Sequence, residues 1–333
     1  MVGEMSQGIA VEKATLSTSR KKVNYAKWGY IFILPFFLVY TFFSLWPLLQ
    51  TFFYSFFQYY ESSASAGMLV GPNFIGFDNY IDIFSSPEFY GYFWNTIILW
   101  ILCFVPQIIV SLLLAVWFTD RRLKLKGQRF FKTVIYMPNL IMASAFGYLF
   151  LTLLAANGPI VNMLMNMGVI SETFAIGDTV WGTRIVIGFM NFLMWFGNTT
   201  LLLMSGVMGI DEDVFEAATV DGAGAFRTFF DITMPLLKPI FVYVFITSLI
   251  GGIQLFDVAD MFTRSKGGPN MTSKTLIMYL NNVFKTSQNY GKAGAISVII
   301  FVVTAALSIV VFNISYKERI SKKNKKVKKN AAI

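Results

Sequence analysis

The sequence predicts an all-α membrane protein with six transmembrane helices. Only 14% of its 333 residues are charged, whereas a soluble domain averages about 25%. The mean hydropathy is +0.60, and six apolar runs reach the ~20 residues that a membrane-spanning helix needs. Tryptophans lie near the ends of several runs, as they do at the interface between a bilayer and water. A soluble fold would have too few polar faces to cover six such helices.

The predicted spans follow one another along most of the chain. They are residues 28–53, 94–118, 131–154, 181–207, 240–256 and 293–314. Pro35 and Pro47 mark places where the first span could bend or end. The first apolar run is too long for the core of a signal peptide, so we expect it to remain as a membrane anchor.

The distribution of basic residues predicts the orientation of these spans. With the N-terminus inside, the segments 1–27, 119–130, 208–239 and 315–333 hold 20 of the 27 Lys and Arg residues. Cytoplasmic loops carry such an excess, so both termini are predicted to be cytoplasmic. The chain then comprises a basic N-terminal segment (1–27), a transmembrane domain (28–314) and a basic tail (315–333). The tail has no apolar period and is predicted to be irregular.

Several residue types that catalysis and metal binding require are missing or isolated. The chain has no histidine and one cysteine, Cys103, which lies in an apolar run. The usual general base, the commonest metal ligand and any internal disulfide are therefore missing. The sequence has no G-x-x-x-x-G-K-[ST] phosphate loop. Its basic clusters flank apolar runs and are not interleaved with stacking aromatic residues in one domain, so membrane topology explains them better than nucleic-acid binding does. We predict no catalytic residue, no metal site, no cofactor bound by this chain and no nucleic-acid partner.

A polar stretch between the fourth and fifth spans, residues 211–239, carries most of the functional information. Asp211 can cap a short helix, and Gly222 can end it because glycine takes the left-handed conformation at little cost. A second short apolar face follows, and Pro235 leads into the fifth span. We expect two short helices at a turn, on the cytoplasmic side.

This stretch resembles the EAA motif of binding-protein-dependent ABC importers. That motif reads E-A-A, three residues, G, nine residues, I-x-L-P. The matching positions are Glu216, Ala217, Ala218, Gly222, Ile232 and Pro235, with Asp221 beside the glycine and Met234 where the pattern has leucine. The resemblance implies a coupling helix that docks into a separate ATPase subunit and transmits its closure to the spans. The alternative is an ordinary interfacial helical hairpin.

Other segments resemble the sugar permeases of the same family. They include Gly76-Phe77-Asp78-Asn79-Tyr80, the run FKTVIYMPNLI at 131–141, and Gly267-Gly268-Pro269. The loop after the third span has about 25 residues, too few for a domain of 50 or more. The chain is therefore similar to the compact multiple-sugar and oligosaccharide permeases of the maltose-type group, carbohydrate uptake family 1.

This resemblance implies the type I ABC importer permease fold in a bacterial cytoplasmic membrane. It also implies the partners: a second related permease, two copies of a cytoplasmic ABC ATPase that binds ATP and Mg²⁺, an extracytoplasmic solute-binding protein, and a sugar. The implied mechanism is alternating access, in which ATP closes the ATPase dimer and opens the path toward the binding protein.

Polar residues in the apolar spans suggest where a neutral, hydroxyl-rich sugar would pass. Asn191, Trp195 and Asn198 follow i, i+4, i+7 and share one face of the fourth span. Gln254 and Asp257 are predicted one turn apart at the outer end of the fifth span, although Asp257 could instead belong to the outer loop. Such side chains are costly in lipid and should face the bundle interior. The alternative for Asn191 and Asn198 is a hydrogen bond that merely joins two helices.

Three other functions compete with a sugar permease. An ABC permease for amino acids or phosphate would be expected to place charged residues along the path, and the spans contain few. A secondary transporter working alone usually needs ionisable residues within the spans. A membrane-embedded enzyme would need a constellation of His, Cys or paired carboxylates, which the sequence does not offer.

Overall fold

The structure of this chain, a computed structural model, describes residues 26–62, 67–120, 126–170 and 176–330, with side chains up to Ile314. The predicted N-terminal segment up to residue 25, part of the basic cluster after the second span, and the last three residues lie outside the described residues. The chain consists mostly of helices and has one two-stranded sheet. It divides into two compact units, residues 1–50 and 51–333.

The first predicted span is a helix from Lys27 to Tyr54. It comprises α1 (Ala26–Tyr40), a π-helical turn (Thr41–Leu45) and α2 (Trp46–Tyr54). Pro47 lacks an amide hydrogen, and a proline ring crowds the carbonyl four residues before it. The π-helical turn accommodates that conflict. The helix therefore continues through both Pro35 and Pro47.

A β-hairpin follows, which the all-α prediction missed. β1 (Phe57–Ser62) pairs antiparallel with β2 (Met68–Phe74), and Phe57 lies opposite Phe74. The rings of these two residues meet edge to face at 5.4 Å. β1 is rich in aromatic residues, which favour strands, so a strand signal was present beside the apolar runs. α3 (Asp78–Ser85) then leads to the second span.

The second and fourth spans form the largest helix–helix interface in the structure. They are α4 (Pro87–Thr119) and α8 (Val180–Met208). The Gln107 amide donates to the Thr199 hydroxyl at 2.7 Å across this interface. The Ser111 hydroxyl donates to the Phe196 carbonyl at 2.8 Å. Such bonds satisfy polar groups that lipid cannot.

The third predicted span, 131–154, is broken in the structure. It consists of α5 (Gln128–Tyr136), a 3₁₀ turn (Met137–Leu140) and α6 (Ala143–Leu153), with a bend of 91° between the two halves. Pro138 lies in the 3₁₀ turn, and Met142 before α6 is extended. The Asn139 amide donates to the Met194 carbonyl of α8 at 2.9 Å, which fixes the bend against the fourth span.

The described residues contain five helices that are long and apolar enough to cross a membrane, or six if this bent pair is one span. After the bend come α7 (Pro159–Asn166) and a 3₁₀ turn (Ile176–Asp178).

The fifth predicted span begins earlier and ends sooner than expected. α9 (Glu212–Val220) and α10 (Ala225–Arg227) precede a π-helical segment (Thr228–Thr233), which runs directly into α11 (Met234–Ile253). The second short helix of the polar stretch is thus the beginning of the fifth span.

The last part of the chain contains short helices and one long one. They are α12 (Asp257–Phe262), a 3₁₀ turn (Pro269–Met271), α13 (Leu276–Asn281), a π-helical segment (Asn282–Thr286) and α14 (Tyr290–Asn330). The tail was predicted to be irregular, but α14 continues through it. Its lysines are good helix formers, and extending an existing helix needs no new nucleus.

Candidate functional site

A cavity of about 280 Å³ lies between α4, α8 and α11. None of the residues that line it is Asp, Glu, Lys or Arg. Its wall carries amides, hydroxyls and aromatic rings, and apolar residues fill the rest. The lining residues that could contact a ligand through polar atoms or rings are Trp100, Gln107, Asn191, Trp195, Asn198, Thr199, Tyr243, Thr247 and Ser248.

Three of the predicted path residues lie on this wall. Asn191, Trp195 and Asn198 line the cavity from α8. Trp195 and Asn198 are exposed, whereas Asn191 is buried and donates from its amide to the Ile187 carbonyl of the same helix at 3.0 Å. No hydrogen bond recorded for the described part of the chain joins Asn191 to a second helix. Its contribution to a substrate path stays a prediction.

The two other predicted path residues lie elsewhere. α11 ends at Ile253, Gln254 is its C-cap, and Asp257 begins α12. Between them Phe256 has φ −139° and ψ −72°, so the helical register is interrupted. The expected spacing of one helical turn is therefore wrong. Both side chains are exposed and neither lines the cavity.

No residue of the wall that α4 and α11 provide was predicted from the sequence. Trp100 packs across Gly252, where an added β-carbon would lie 2.1 Å from the indole Cδ1. The indole Nε1 of Trp100 donates to the Ser248 hydroxyl at 3.2 Å, which orients the ring. Gln107 is an amide residue inside an apolar run, and this feature of the sequence could have identified it as a candidate site residue. No pattern in the sequence indicates that Trp100 lies against Gly252.

The predicted coupling stretch follows the C-terminal end of α8. The Asp211 carboxylate accepts from the Asp213 amide at 3.3 Å and caps α9, as predicted. Gly222 has φ +72°, and the Ala223 amide donates to the Ala218 carbonyl at 2.9 Å. This left-handed closure ends α9 where the sequence predicted it.

The EAA-like residues lie in α9, in the turn after it, and in the helical segments that begin the fifth span. Glu216, Ala217, Asp221, Gly222 and Pro235 are exposed, Ile232 is half-buried, and Ala218 is buried. Two apolar side chains beside them, Val220 and Phe226, are 87% and 83% exposed. An apolar surface of this kind, rimmed by carboxylates, is typical of a docking site. Neither Val220 nor Phe226 is a position of the EAA motif, so the motif alone does not identify this surface.

The side chains at the cavity and at the coupling stretch offer groups that can bind a ligand or a partner. Among the residues described, no group of three or more Cys, Asp and Glu could hold a metal ion. Amides and hydroxyls donate and accept hydrogen bonds, and the rings of Trp100, Trp195 and Tyr243 offer flat apolar faces. The cavity suits a small, uncharged molecule that is rich in hydroxyl groups.

Comparisons with known proteins agree with this architecture. Residues 107–317 match the family described as binding-protein-dependent transport system inner membrane component. The chain is 29% identical over 301 residues to the lactose transport system permease protein LacF of Rhizobium radiobacter, covering 90% of this chain and 97% of that protein. It is 28% identical over 303 residues to the multiple sugar-binding transport system permease protein MsmF of Streptococcus mutans, covering 90% and 99%.

A solved structure shares the fold. A chain of a bacterial ABC transporter involved in the import of the acidic polysaccharide alginate superposes with a TM-score of 0.75 at 20% identity. The superposition covers 89% of this chain and 98% of that chain. A second structure, of an alginate ABC transporter in complex with a pentasaccharide-bound periplasmic protein, gives a TM-score of 0.73.

Proposed function

Because the chain belongs to the family of binding-protein-dependent transport system inner membrane components, we propose that it is the permease subunit of an ATP-driven ABC importer for a sugar or oligosaccharide. The observation that supports a sugar as the cargo is the cavity between α4, α8 and α11, whose wall is uncharged and carries amides, hydroxyls and aromatic rings. The names of LacF and MsmF support a carbohydrate. The alginate transporter moves an acidic polymer, whereas this wall favours a neutral sugar.

The proposed topology has six spans, with the bent pair α5–α6 counted as one of them. The excess of Lys and Arg in four of the segments between and beyond the spans supports cytoplasmic termini in a bacterial cytoplasmic membrane. The β-hairpin and the segment between α11 and α14 then face outward. The turn that holds Glu216 and Gly222 faces the cytoplasm.

In this orientation α9 is the coupling helix. Its exposed Glu216 and Val220, together with the exposed Phe226 of α10, would dock into one of two ATPase subunits. The ATP and Mg²⁺ would be bound by those subunits, since this sequence has no phosphate loop. Movement at the turn after α9 would reach the cavity through α10 and the π-helical segment, which continue without a break into α11.

A second, related permease would supply the other half of the path. A binding protein would deliver the sugar at the outer face, and ATP binding would open the path toward it. The alternatives are an ABC permease for a charged solute and a secondary transporter that works alone. The uncharged lining supports neither.

The decisive test is reconstitution. The chain would be placed in liposomes with its partner permease, ATPase and binding protein, and uptake of a panel of labelled neutral and acidic sugars measured. We expect uptake of a neutral sugar that needs ATP and is lost in Glu216→Ala. Uptake by the chain alone, driven by an ion gradient, would refute the proposal.

A second readout uses a cysteine introduced by Gly251→Cys on the cavity wall, because Gly251 is exposed there whereas the native Cys103 is buried. A transported neutral sugar should slow its modification by a maleimide. An acidic sugar that is not transported should leave that rate unchanged. Equal rates with both sugars would show that the cavity is not the binding site.

A further inference from the structure

The segment between α12 and α13 has an unusual backbone. Arg264, Ser265, Asn270 and Met271 all have φ between 50° and 61°, in the left-handed region. Residues other than glycine enter that region at a cost, and they stay there only when the surrounding structure holds them. In addition, the Ser273 hydroxyl is fully buried and is one of two buried side-chain groups in the described residues without a hydrogen-bond partner. The segment is therefore under strain in this structure.

Side chains of α4 hold this segment from one side. The Asn95 amide donates to the Met271 carbonyl at 3.0 Å and to the Lys274 carbonyl at 3.3 Å. The Thr96 hydroxyl accepts from the Leu276 amide at 3.0 Å. Asn95 and Thr96 are both buried, and they lie one turn before Leu99, which lines the cavity.

Arg184 of α8 holds the segment from a second side. Its Nε and Nη2 donate to the Thr272 carbonyl at 3.1 and 2.9 Å, and Nη2 also donates to Oδ1 of Asn95 at 2.9 Å. Its guanidinium lies over the Trp181 ring at 5.3 Å. Arg184 thus joins α8, α4 and the strained segment at one point.

The end of α11 provides the third attachment. The Thr275 hydroxyl donates to the Leu255 carbonyl at 2.8 Å, and Leu255 lines the cavity just after α11 ends. Residues 268–276 are therefore tied to the same end of all three helices that wall the cavity. It is the end at which α4 and α8 begin. The β-hairpin precedes α4 in the chain and leads into this end.

We propose that residues 268–276 form a clasp that holds the outer end of α4, α8 and α11 closed, and that Arg184 is the positioning residue at its centre. The hydrogen bonds of Arg184, Asn95, Thr96 and Thr275 favour the closed arrangement, whereas the left-handed backbone of Asn270 and Met271 and the buried Ser273 hydroxyl oppose it. An element with such opposed contributions can have two states of similar free energy. The binding protein would shift it toward the open state. This inference rests on the proposed function and orientation.

The clasp is tested by the ATPase activity of the complete importer in liposomes, with and without its binding protein. Arg184→Gln removes the charge and the fork of donors. If the clasp holds the outer end closed, weakening it makes opening easier without the binding protein. We expect the basal rate of ATP hydrolysis to rise at least threefold and the stimulation by binding protein to fall. Arg264→Gln, an exposed arginine of the same loop, is the control and should behave as wild type.

The outcomes separate the clasp from the proposed function. Wild-type importer that shows no stimulation by any binding protein would refute the proposed function itself. Stimulated wild type, with Arg184→Gln indistinguishable from Arg264→Gln, would refute the clasp alone. If Arg184→Gln lowered the basal and the stimulated rates of ATP hydrolysis by the same factor, the segment would only stabilise the fold. That result would also refute the clasp.

Thr275→Val gives an independent test if Arg184→Gln does not assemble. It removes both the bond to the Leu255 carbonyl and the cap of α13, in which the Thr275 hydroxyl accepts from the Met278 amide. The shape changes little, and the basal rate should rise in the same direction. An unchanged basal rate in assembled Thr275→Val importer would overturn the clasp.

Discussion

Replacing Gly252 with alanine is expected to displace Trp100 from the cavity wall. A β-carbon at this position would lie 2.1 Å from Cδ1 and 2.5 Å from Cγ of Trp100, far inside contact distance. The ring has little room to retreat, because it stacks on Phe104 at 5.4 Å and donates to Ser248 at 3.2 Å. Gly251 offers a matched control: it lines the same cavity, and a β-carbon there meets nothing within 4 Å.

Two costs contribute to the expected effect. Overpacking a core costs about 1–3 kcal/mol, and the lost hydrogen bond to Ser248 contributes about 0.5–1.5 kcal/mol. We therefore expect Gly252→Ala to lower the free energy of unfolding by roughly 2–4 kcal/mol. At about 2–4 °C per kcal/mol for domains of 150–250 residues, and less for a longer chain, the melting temperature should fall by roughly 4–10 °C.

The measurement is thermal unfolding of the detergent-purified chain, followed by uptake in the complete importer. Gly251→Ala should melt close to the wild type, and Gly252→Ala should lose both stability and uptake. Combining Gly252→Ala with Trp100→Leu should cost less than the sum of the two single changes, because the clash is then removed. Equal melting temperatures for the two alanine variants would refute the reasoning.

Three further predictions concern the coupling stretch and the α4–α8 interface. Gly222→Val should reduce co-purification of the ATPase, since φ of +72° costs a β-branched residue about 1–2 kcal/mol; unchanged co-purification and uptake would contradict this. Phe226→Asp should weaken ATPase binding at an unchanged melting temperature, because Phe226 is exposed; a large fall in melting temperature would indicate a structural role. Gln107→Leu should lower the melting temperature by about 1–3 °C, as expected for hydrogen bonds between membrane helices of about 0.6–1.7 kcal/mol. Thr199→Val should do the same, and additive losses in the double variant would show that their bond is unimportant.

The structure agrees best with those predictions that rest on a few neighbouring residues. The cap at Asp211 and the stop at Gly222 each depend on a few adjacent residues. The same holds for the face shared by Asn191 and Asn198, which the helical period alone defines. These features need no knowledge of what packs against them.

The errors arose where a local pattern was overridden. Gln254 and Asp257 had the spacing of one helical turn, but the helix ends between them. The third span had the length of a straight helix, yet it bends by 91° where Asn139 bonds to α8. In both cases the pattern was present, and contacts or backbone breaks that the pattern does not encode decided the outcome.

By itself, the sequence determined that this chain is a helical membrane protein, where most of its spans lie, and that 211–239 resembles a coupling loop. Composition, charge asymmetry and motif spacing are properties of the chain in one dimension. Only the tertiary structure brought α4, α8 and α11 around one cavity and placed Trp100 across Gly252. Only the tertiary structure joined Arg184 to Asn95, 89 residues away along the chain. Such contacts depend on how helices pack, and residues far apart in sequence carry no mark of the partner they will meet.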